Sequence, residues 1–425
     1  MTPPLPGRPL RRRSVLLGAV TAAALAGCGS TDAASSASAA AAGTPSPTGS
    51  ATPSASPSPS ASATPSASPS ASAAASASAA GTAAGVSLDG WTLEQKVGQL
   101  LMVGVDAGST TAPSRYVTEL HVGGVFLSGR SSRGASGVRT LVDSLQALVS
   151  EESTHGSRLL VSTDQEGGNV QVLSGAGFST MPTALSQASS GAEALKASAT
   201  TWGAELASAG VTMNLAPDAD LVDVAVPTSN APIGQWKREY GHDAATVTAC
   251  AGAFAAGMGA SGVIPTFKHF PGLGRVTQNT DTSSGVTDTV TARDDAAVGI
   301  FRDLIAQGTC AVMASSADYS LIDADTPACF SSVVITDLLR GDLGFQGVVI
   351  TDDVAAAVQV SGWTPGDRAV SAVKAGCDIV LASADASVAD EMVAALLEEA
   401  RADEAFAAQV DTSVQRILAL KATLA

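Results

Sequence analysis

The sequence predicts an α/β protein in which a single (β/α)8 barrel follows a signal peptide and a low-complexity linker. Three observations lead to this prediction. The composition divides the 425 residues into two unlike parts, eight short apolar runs alternate with helical stretches in the second part, and most of these runs end in a polar or charged residue.

The first 87 residues differ from the rest of the chain in composition and charge. They hold 11 of the 20 prolines and are otherwise mostly Ala, Ser and Thr, whereas the remainder carries 19 Lys and Arg against 38 Asp and Glu, a net charge of −19. Such an acidic domain is a poor binder of nucleic acid, because phosphate contacts need clustered Lys and Arg. The sequence also contains no run of 18 apolar residues that would span a bilayer.

Residues 1–28 have the features of a bacterial lipoprotein signal peptide. Arginines at positions 11–13 precede an apolar run that ends in Leu-Ala-Gly directly before Cys28. Basic, apolar and small-residue segments in this order are typical of export, and Cys after Leu-Ala-Gly resembles the lipobox. We therefore expect an exported protein, lipid-anchored through Cys28 to the outer face of the bacterial cytoplasmic membrane. An ordinary secretory peptide is the alternative, and the twin-arginine and general secretory routes both stay open.

Residues 29–87 form a linker of repeated Ser-Ala, Ser-Pro and Thr-Pro units without any hydrophobic period. Such a segment cannot bury enough apolar surface to offset the entropy lost on ordering. We expect it to be extended and disordered, and to hold the domain at 88–425 away from the membrane.

Eight apolar runs in the second part are predicted to be parallel strands, because helical stretches separate them as in βα units. The predicted strands are residues 99–105, 124–127, 159–163, 211–215, 262–268, 311–314, 347–351 and 378–382. The predicted helices between them, rich in Ala, Leu and Glu, include residues 134–150, 192–209, 243–259, 294–306 and 391–400.

Polar side chains follow most of the predicted strands, and they indicate where the site lies. In a (β/α)8 barrel the C-terminal strand ends form the rim that carries the active site. An open doubly wound sheet is the alternative, but it places its chemistry at one switch point. The polar residues are Asp106, Ser128, Asp164, Lys268 with His269, Ser315, Asp352 and Ser383, and the fourth run continues to Asp218 and Asp220.

Four cysteines remain in the predicted barrel, at Cys250, Cys310, Cys329 and Cys377. Outside the cytoplasm they can pair as disulfides, with three possible pairings. Cys310 and Cys377 lie in apolar runs, so buried free thiols are an equal alternative. No Cys/His group has metal-ligand spacing, and we expect neither a metal nor another cofactor.

Three polar segments follow the third, fifth and seventh predicted strands. They are Asp-Gln-Glu-Gly-Gly at 164–168, Lys-His-Phe-Pro-Gly-Leu-Gly at 268–274 and Ile-Thr-Asp-Asp at 350–353. Carboxylates, a Lys/His pair and a glycine-rich loop on one rim suit hydrolysis of a glycosidic bond, which needs a carboxylate at the anomeric carbon and an acid at the leaving oxygen. Taken singly, Asp164 or either Asp of 352–353 could instead cap a helix.

These segments resemble glycoside hydrolase family 3, most closely its single-domain bacterial β-N-acetylglucosaminidases. The resemblance extends from residue 93 to the C-terminus, and it also includes Asn-Leu-Ala-Pro at 214–217, residues 338–340 and 343–353, and Ala-Gly-Cys-Asp at 375–378. It implies a TIM barrel and retaining exo-hydrolysis of terminal β-N-acetylglucosaminides or related β-glycosides, in oligosaccharides or peptidoglycan fragments. We expect the protein to be a monomer.

The resemblance also assigns roles to individual residues. Asp352, the first Asp of the strand-seven segment, is the implied nucleophile. Asp164, Lys268 and His269 are implied to bind sugar hydroxyls, as is Arg238, which lies in Arg-Glu-Tyr-Gly where the family has Arg-Ser-Phe-Gly. Charged Lys and bidentate Arg suit the orientation of a polyhydroxylated ligand.

The sequence departs from the family at the general acid/base. The acetylglucosaminidase branch has Asp-Ser/Thr-His after the glycine-rich loop, whereas this chain has Asn279-Thr280-Asp281 and no histidine beyond His269. Three interpretations are open: Asp281 is itself the acid/base, another group arrives from a loop, or the protein binds sugar without efficient hydrolysis. We favour Asp281, because burial and a neighbouring carboxylate can raise the pKa of an Asp. Asn279 and Asp281 could also be turn formers only.

Two other functions stay open from the sequence. One is a β-glucosidase-type specificity, since the departure at the acid/base weakens the acetylglucosaminidase interpretation in particular. The other is a non-catalytic, membrane-tethered carbohydrate-binding protein. We also expect the loop at residues 272–285, rich in Gly and Thr, to be mobile and to close on substrate.

Overall fold

The computed structural model describes residues 86–223, 225 and 227–424. The signal peptide predicted at 1–28, with Cys28, and nearly all of the linker predicted at 29–87 lie outside the described residues. Within the described part of the chain, no helix is both long enough and apolar enough to cross a bilayer.

Eight parallel strands form a closed barrel, and their order around the barrel is their order along the chain. The barrel closes between the first and eighth strands, where Met102 lies opposite Leu381. Each predicted apolar run overlaps one strand, so the predicted (β/α)8 barrel is confirmed. The strands are Leu101–Asp106, Gly124–Ser128, Leu160–Thr163, Met213–Asn214, Ile264–Phe270, Ala311–Ala314, Val349–Asp353 and Ile379–Ala382.

Helices alternate with the strands, and they include all five helical stretches that the sequence predicts. In the described residues the helices are Leu93–Gln99, Ser114–Thr118, Gly134–Gln146, Glu151–Thr154, Ala184–Ala188, Ala192–Ser208, Ala244–Ala260, Ala296–Ile305, Pro365–Ala375, Ala389–Ala402 and Glu404–Lys421, with a π-helical segment at Val333–Asp342. The helix predicted at 134–150 is too long. It ends at Gln146, because the Ser150 side chain accepts a hydrogen bond from the Ser153 N–H and caps a new helix.

The helix Ala296–Ile305 illustrates how the sequence sets both a helix start and a buried face. Asp295 caps it by accepting a hydrogen bond from the Ala297 N–H at 2.8 Å. On its buried side the Phe301 ring meets the Phe270 ring of the fifth strand edge-on, with centroids 5.2 Å apart. Truncation of the fully buried Phe301 side chain to alanine is expected to cost about 3–5 kcal/mol of stability.

The four cysteines of the barrel are buried free thiols, so the described structure has no disulfide. The Cys377 thiol donates to the Cys329 carbonyl oxygen at 3.5 Å. Burial raises the pKa of the Cys310 thiol to about 12. Of the two alternatives that the sequence left open, the buried-thiol interpretation therefore agrees with the structure.

Two small sheets lie in the loops that follow barrel strands. Gln165–Gly167 and Val170–Gln171 form an antiparallel hairpin directly after the third strand. Thr287–Asp288 pairs in parallel with Asp318–Tyr319, which joins the loop after the fifth strand to the loop after the sixth. Both sheets therefore shape the end of the barrel where the strands finish.

Candidate active site

A cavity of about 460 Å³ lies at the C-terminal ends of the strands. The third, fifth and seventh strands contribute residues at or just beyond their ends, and further lining residues come from the second, sixth and eighth strands and from the loops after the fourth, fifth, seventh and eighth strands. The structure brings together every residue that the sequence predicts for catalysis or substrate binding: Asp164, Arg238, Lys268, His269, Asp281 and Asp352.

Only some of the polar residues at the strand ends reach this cavity. Ser383 lines it after the eighth strand, whereas Asp106, Ser128 and Ser315 are not among its described lining residues. Asp106 instead accepts a hydrogen bond from the Gly108 N–H at 2.8 Å, and Ser315 accepts one from the Ala317 N–H at 3.1 Å. These side chains close turns at the rim, so a polar residue at a strand end indicates the rim but not the cavity.

The hairpin after the third strand places Glu166 beneath the cavity, and the glycines of its motif are required sterically. Gly167 has φ +109°, and a Cβ there would lie 2.2 Å from the Pro182 carbonyl oxygen. Asn214 fixes the start of the hairpin, because its side chain exchanges two 3.0 Å hydrogen bonds with the backbone N–H and C=O of Gln165. The Asp-Gln-Glu-Gly-Gly and Asn-Leu-Ala-Pro motifs thus support each other.

Acidic and basic side chains alternate along the floor of the cavity, and each contacts the next. The Lys268 ammonium lies 2.7 Å from Asp164 Oδ1 and 2.6 Å from Glu166 Oε1. The Arg238 guanidinium donates to both oxygens of Glu166, at 2.9 and 2.8 Å. Burial opposes ionisation of Glu166, but the two cations outweigh burial and lower the pKa of this carboxyl to about 2. Lys268 and Arg238 are therefore held in place by a permanent carboxylate.

Asp218 adds an acid behind Arg238. Its Oδ2 lies 3.8 Å from the Arg238 Nε and has no hydrogen-bond partner among the described residues. Burial and the neighbouring carboxylate of Asp220 raise the pKa of Asp218 well above its ordinary value. Glu166, which accepts two hydrogen bonds from the guanidinium, is the closer counter-charge to Arg238.

His269 is oriented by a buried carboxylate. Its Nδ1 lies 2.7 Å from Asp220 Oδ2, and Asp220 Oδ1 accepts hydrogen bonds from the backbone N–H groups of His269 and Leu273. This contact fixes the imidazole ring and leaves Nε2 available to a ligand in the cavity.

A possible metal-ligand group overlaps this pair. Potential ligand atoms of Asp218, Asp220 and His269 lie within 4.8 Å of one another, the one such group among the described residues. However, Asp220 Oδ2 and His269 Nδ1 are already bonded to each other, and Asp220 Oδ1 accepts two backbone N–H groups. The donor set thus orients His269 through hydrogen bonds.

The two carboxyl groups that end the seventh strand have different surroundings. Asp353 Oδ1 accepts hydrogen bonds from the Ser383 N–H, the Ser383 hydroxyl and the Ala384 N–H, so Asp353 joins the seventh and eighth strands. Asp352 lines the cavity and accepts one hydrogen bond, from the Asp353 N–H at 2.8 Å. Burial raises the pKa of Asp352, while His269, the Asp353 N–H and Lys268 act to lower it.

Asp281 lines the same cavity from the loop after the fifth strand. Burial raises the pKa of Asp281 to about 6, and the negative charges of Asp352 and Asp353 act in the same direction. Water reaches the Asp281 side chain through the open side of the cavity, which screens part of this effect. His269 and Lys268 favour the ionised form of Asp352, whereas burial and the charge of Asp352 favour the protonated form of Asp281.

Asn279 acts as a turn former. Its side-chain oxygen accepts a hydrogen bond from the Asp281 N–H at 2.8 Å, and its carbonyl oxygen accepts one from the Thr282 N–H at 3.1 Å. It therefore positions the backbone of Asp281, whereas the family pattern would place an Asp there to orient the acid/base side chain. The turn-former interpretation applies to Asn279 but does not explain why Asp281 faces the cavity.

The sequence assigned no role to three residues that contact site residues or the loop that carries Asp281. Glu166 lies inside a motif that the sequence singles out, and its role becomes visible only when Lys268 and Arg238 converge on it. Asp220 follows the fourth strand, and its position after an apolar run marks it as a rim residue, but the sequence does not show that it contacts His269. Gln359 lies in the loop after the seventh strand and has no motif at all.

The fold and the cavity together define a class of protein. The barrel is parallel, and the cavity at its rim contains two carboxyl groups beside a Lys, Arg and His cluster. These are the groups that a glycoside hydrolase needs. The chain belongs to glycosyl hydrolase family 3, since residues 92–420 match the Glycosyl hydrolase family 3 N terminal domain.

Individual relatives agree with this assignment. The chain is 55% identical to the crystal structure of a β-N-acetylhexosaminidase from Beutenbergia cavernae, with a TM-score of 0.77 and coverage of 78% of this chain and 98% of that chain. It is 33% identical over 340 residues to the β-hexosaminidase LpqI of Mycobacterium tuberculosis, covering 77% of this chain and 82% of LpqI. It is also 33% identical to an uncharacterised secreted glycosyl hydrolase of Arthroderma benhamiae, over 68% of this chain and 83% of that protein.

Proposed function

We propose that the protein is a retaining exo-β-N-acetylglucosaminidase that hydrolyses the terminal β-N-acetylglucosaminide bonds of oligosaccharides or cell-wall fragments. The observation that carries this proposal is that Asp281 and Asp352 line one cavity, beside a fixed cluster of Lys268, Arg238 and His269. The similarity to proteins named as β-N-acetylhexosaminidases supports the choice of sugar.

The fixed cluster binds the terminal sugar. Lys268 and Arg238 are held by Glu166, and His269 is held by Asp220, so their remaining donors keep a constant direction. Asp164 accepts from Lys268 and has a second oxygen for a sugar hydroxyl. Preorganised polar groups of this kind orient a polyhydroxylated ligand and reduce the entropy lost in reaching the transition state.

In the first chemical step, a carboxylate oxygen of Asp352 attacks the anomeric carbon. The bond from this carbon to the glycosidic oxygen breaks, and Asp281 donates its proton to the leaving oxygen. The products are a glycosyl ester on Asp352 and the free alcohol. Lys268 and His269 beside Asp352 favour the ionised form that attacks.

In the second step, the ionised Asp281 removes a proton from water, and the water oxygen attacks the anomeric carbon. The ester bond to Asp352 breaks, the sugar is released with retained configuration, and Asp281 is protonated again. This mechanism needs the two carboxyl groups at about 5–5.5 Å during reaction, so the loop that carries Asp281 must hold it against Asp352.

A screen of aryl glycosides with the full-length protein tests the proposal. We expect turnover of the aryl β-N-acetylglucosaminide and loss of that turnover in Asp352→Asn. Preferred turnover of the aryl β-glucoside would instead show a β-glucosidase specificity. Tight sugar binding without turnover in the wild-type protein would show a carbohydrate-binding protein, and would contradict the proposed catalysis.

We also propose that the protein is exported and lipid-anchored at Cys28. The basic and apolar segments before Leu-Ala-Gly-Cys support export, and one relative is named as secreted. Fractionation of cells tests the anchor: the wild-type protein should be found with the membrane and Cys28→Ala should not. Equal membrane recovery of the two proteins would contradict lipidation at Cys28.

A further inference from the structure

The loop that carries Asp281 is attached to the barrel on both sides of this residue. Before Asp281, the side chain of Asn230 donates to the Leu273 and Val276 carbonyl oxygens at 2.9 and 2.8 Å. Tyr319 also donates its hydroxyl to the Gly272 carbonyl oxygen at 2.9 Å. The first half of the loop is therefore held by the loops that follow the fourth and sixth strands.

The second half of the loop contacts the segment after the seventh strand through Val358 and Gln359, and it also pairs with Asp318–Tyr319 through Thr287–Asp288. The Gln359 N–H donates to the Thr280 carbonyl oxygen at 3.0 Å. The Gln359 side chain accepts from the Val286 N–H at 2.8 Å and donates to the Val286 carbonyl oxygen at 3.3 Å. The same side-chain amide donates to Asp318 at 3.2 Å. One buried glutamine thus contacts the loop one residue before and five residues after Asp281.

We propose that Gln359 is a positioning residue for the acid/base: its buried side chain clamps the loop at Val286 and holds the Asp281 carboxyl against Asp352. Asp352 and Gln359 belong to the same strand-and-loop segment, so Gln359 connects the nucleophile to the loop of the proton carrier. This inference rests on the proposed function, because it assigns a role relative to the two carboxyl groups.

The clamp has the features that positioning requires. The Gln359 side chain is buried, and both the oxygen and the nitrogen of its amide form hydrogen bonds, so its rotamer is fixed. Residues 282–285 between the two attachments have exposed or half-exposed side chains, and Gly285 has φ +70°. Without the amide, the Val286 N–H has no other partner in the described structure, and Val286 keeps only the hydrogen bond from the Asp318 N–H to its carbonyl oxygen at 3.0 Å. A displacement of about 1 Å at a catalytic group can cost on the order of 100-fold in rate.

The substitution Gln359→Met tests this role, because methionine keeps the side-chain length and removes both hydrogen bonds to Val286. We expect kcat/KM to fall about 10- to 100-fold for an aryl β-N-acetylglucosaminide with a poor leaving group. For an activated aryl glycoside, whose departure needs no proton, kcat/KM should change little. Binding of N-acetylglucosamine should also be unchanged, since Gln359 does not line the cavity.

The pH profile provides a second readout that a structural role would not change. Burial raises the pKa of Asp281, and the charges of Asp352 and Asp353 raise it further, whereas Arg238 and His269 lower it. A loosened loop moves Asp281 away from the negative charge of Asp352. The alkaline limb of kcat/KM should therefore move to lower pH in Gln359→Met.

The chain offers a matched control at the opposite end of the barrel. Gln146 accepts from the Leu159 N–H at 3.1 Å and donates to the Leu159 carbonyl oxygen at 2.9 Å, directly before the third strand. Gln146→Met removes the same pair of hydrogen bonds far from the cavity. We expect a lower Tm in both variants, and a changed leaving-group dependence and pH profile only in Gln359→Met.

A double mutant separates this inference from the proposed function. In an Asp281→Asn background, Gln359→Met should cause no further loss of kcat/KM, because the group that it positions is already absent. Full additivity of the two losses, or an unchanged pH profile in Gln359→Met, overturns the inference. If Gln359→Met does not fold, Gln359→Asn, whose amide is too short to reach both groups of Val286, is measured in the same way. Wild-type activity in Asp281→Asn would instead contradict the acid/base assignment itself.

Discussion

Asp281, in the loop after the fifth strand, and Asp352, at the end of the seventh strand, line the same cavity, and burial together with the negative charge of Asp352 raises the pKa of Asp281 to about 6. The surroundings of the two carboxyl groups are unequal. Asp352 lies beside His269 and Lys268 and accepts the Asp353 N–H, whereas Asp281 accepts no side-chain hydrogen bond among the described contacts. Such inequality separates a carboxylate nucleophile from a carboxylic acid.

Removal of the nucleophile should abolish turnover. In Asp352→Asn the neutral amide cannot form the glycosyl ester, so we expect kcat to fall by about 10³-fold or more. Mass spectrometry after incubation with a fluorinated glycoside should detect one covalent adduct on the wild-type protein and none on Asp352→Asn. Asp353→Asn is a poor control, because Asp353 binds three groups of the eighth-strand loop. An adduct on any other residue would refute Asp352 as the nucleophile.

The pH dependence should be bell-shaped with an acidic optimum. Asp281 must be protonated to act as the acid, so kcat/KM should fall as the pH rises through about 6. Asp352 must be ionised, and its pKa is raised by burial, so kcat/KM should also fall at low pH. In Asp281→Asn the alkaline limb should disappear, and activity on a poor leaving group should fall by about 10²–10⁴-fold. Unchanged activity on that substrate would exclude Asp281 as the acid/base.

The enzyme should release sugar by hydrolysis and not by phosphorolysis. After the first step Asp281 is ionised, and a carboxylate beside the anomeric carbon repels an anionic nucleophile such as phosphate but not water. Added phosphate should therefore leave the product as free sugar. Chromatography of products formed with and without phosphate checks this, and a phosphate-dependent yield of sugar 1-phosphate would contradict it.

The charge cluster under the cavity should contribute to stability. Glu166→Gln leaves Lys268 and Arg238 without their shared counter-charge, and breaking a buried ion pair costs on the order of 3–5 kcal/mol. The pKa of Glu166 is lowered to about 2 on folding, so the stabilisation is complete above its unfolded pKa of about 4.3 and is lost as the pH falls towards 2. Thermal denaturation should show a Tm difference at neutral pH that narrows in acid.

An exposed ion pair serves as the control for this measurement. On the surface, Arg115 contacts the Asp390 carboxylate with both of its terminal nitrogens. Water and salt screen such a pair, so Asp390→Asn should leave the Tm nearly unchanged. A loss as small in Glu166→Gln as in Asp390→Asn would show that the buried cluster does not stabilise the fold.

The loop at residues 272–285 is the place where local sequence is least informative. Its Gly and Thr content predicts mobility, yet the structure holds it by Asn230, Tyr319 and Gln359, which lie 43 or more residues along the chain from the loop positions that they contact. Mobility is decided by these distant partners as well as by local composition. Whether the loop closes further on substrate stays a prediction.

The sequence by itself determined the barrel, the rim and the charged residues expected to catalyse and to bind substrate. Eight apolar runs with polar ends suffice, because strands buried on both faces must be apolar and their C-terminal ends must meet on one rim. It also placed Asp352 and Asp281 as the two candidate carboxyl groups. Only the tertiary structure decided how Glu166, Asp220 and Gln359 hold their partners, because each contacts groups 49 or more residues away in the chain. Hydrogen bonds to distant residues and burial in the folded protein set the orientation and the pKa of a side chain. Neither can be predicted from a local sequence pattern.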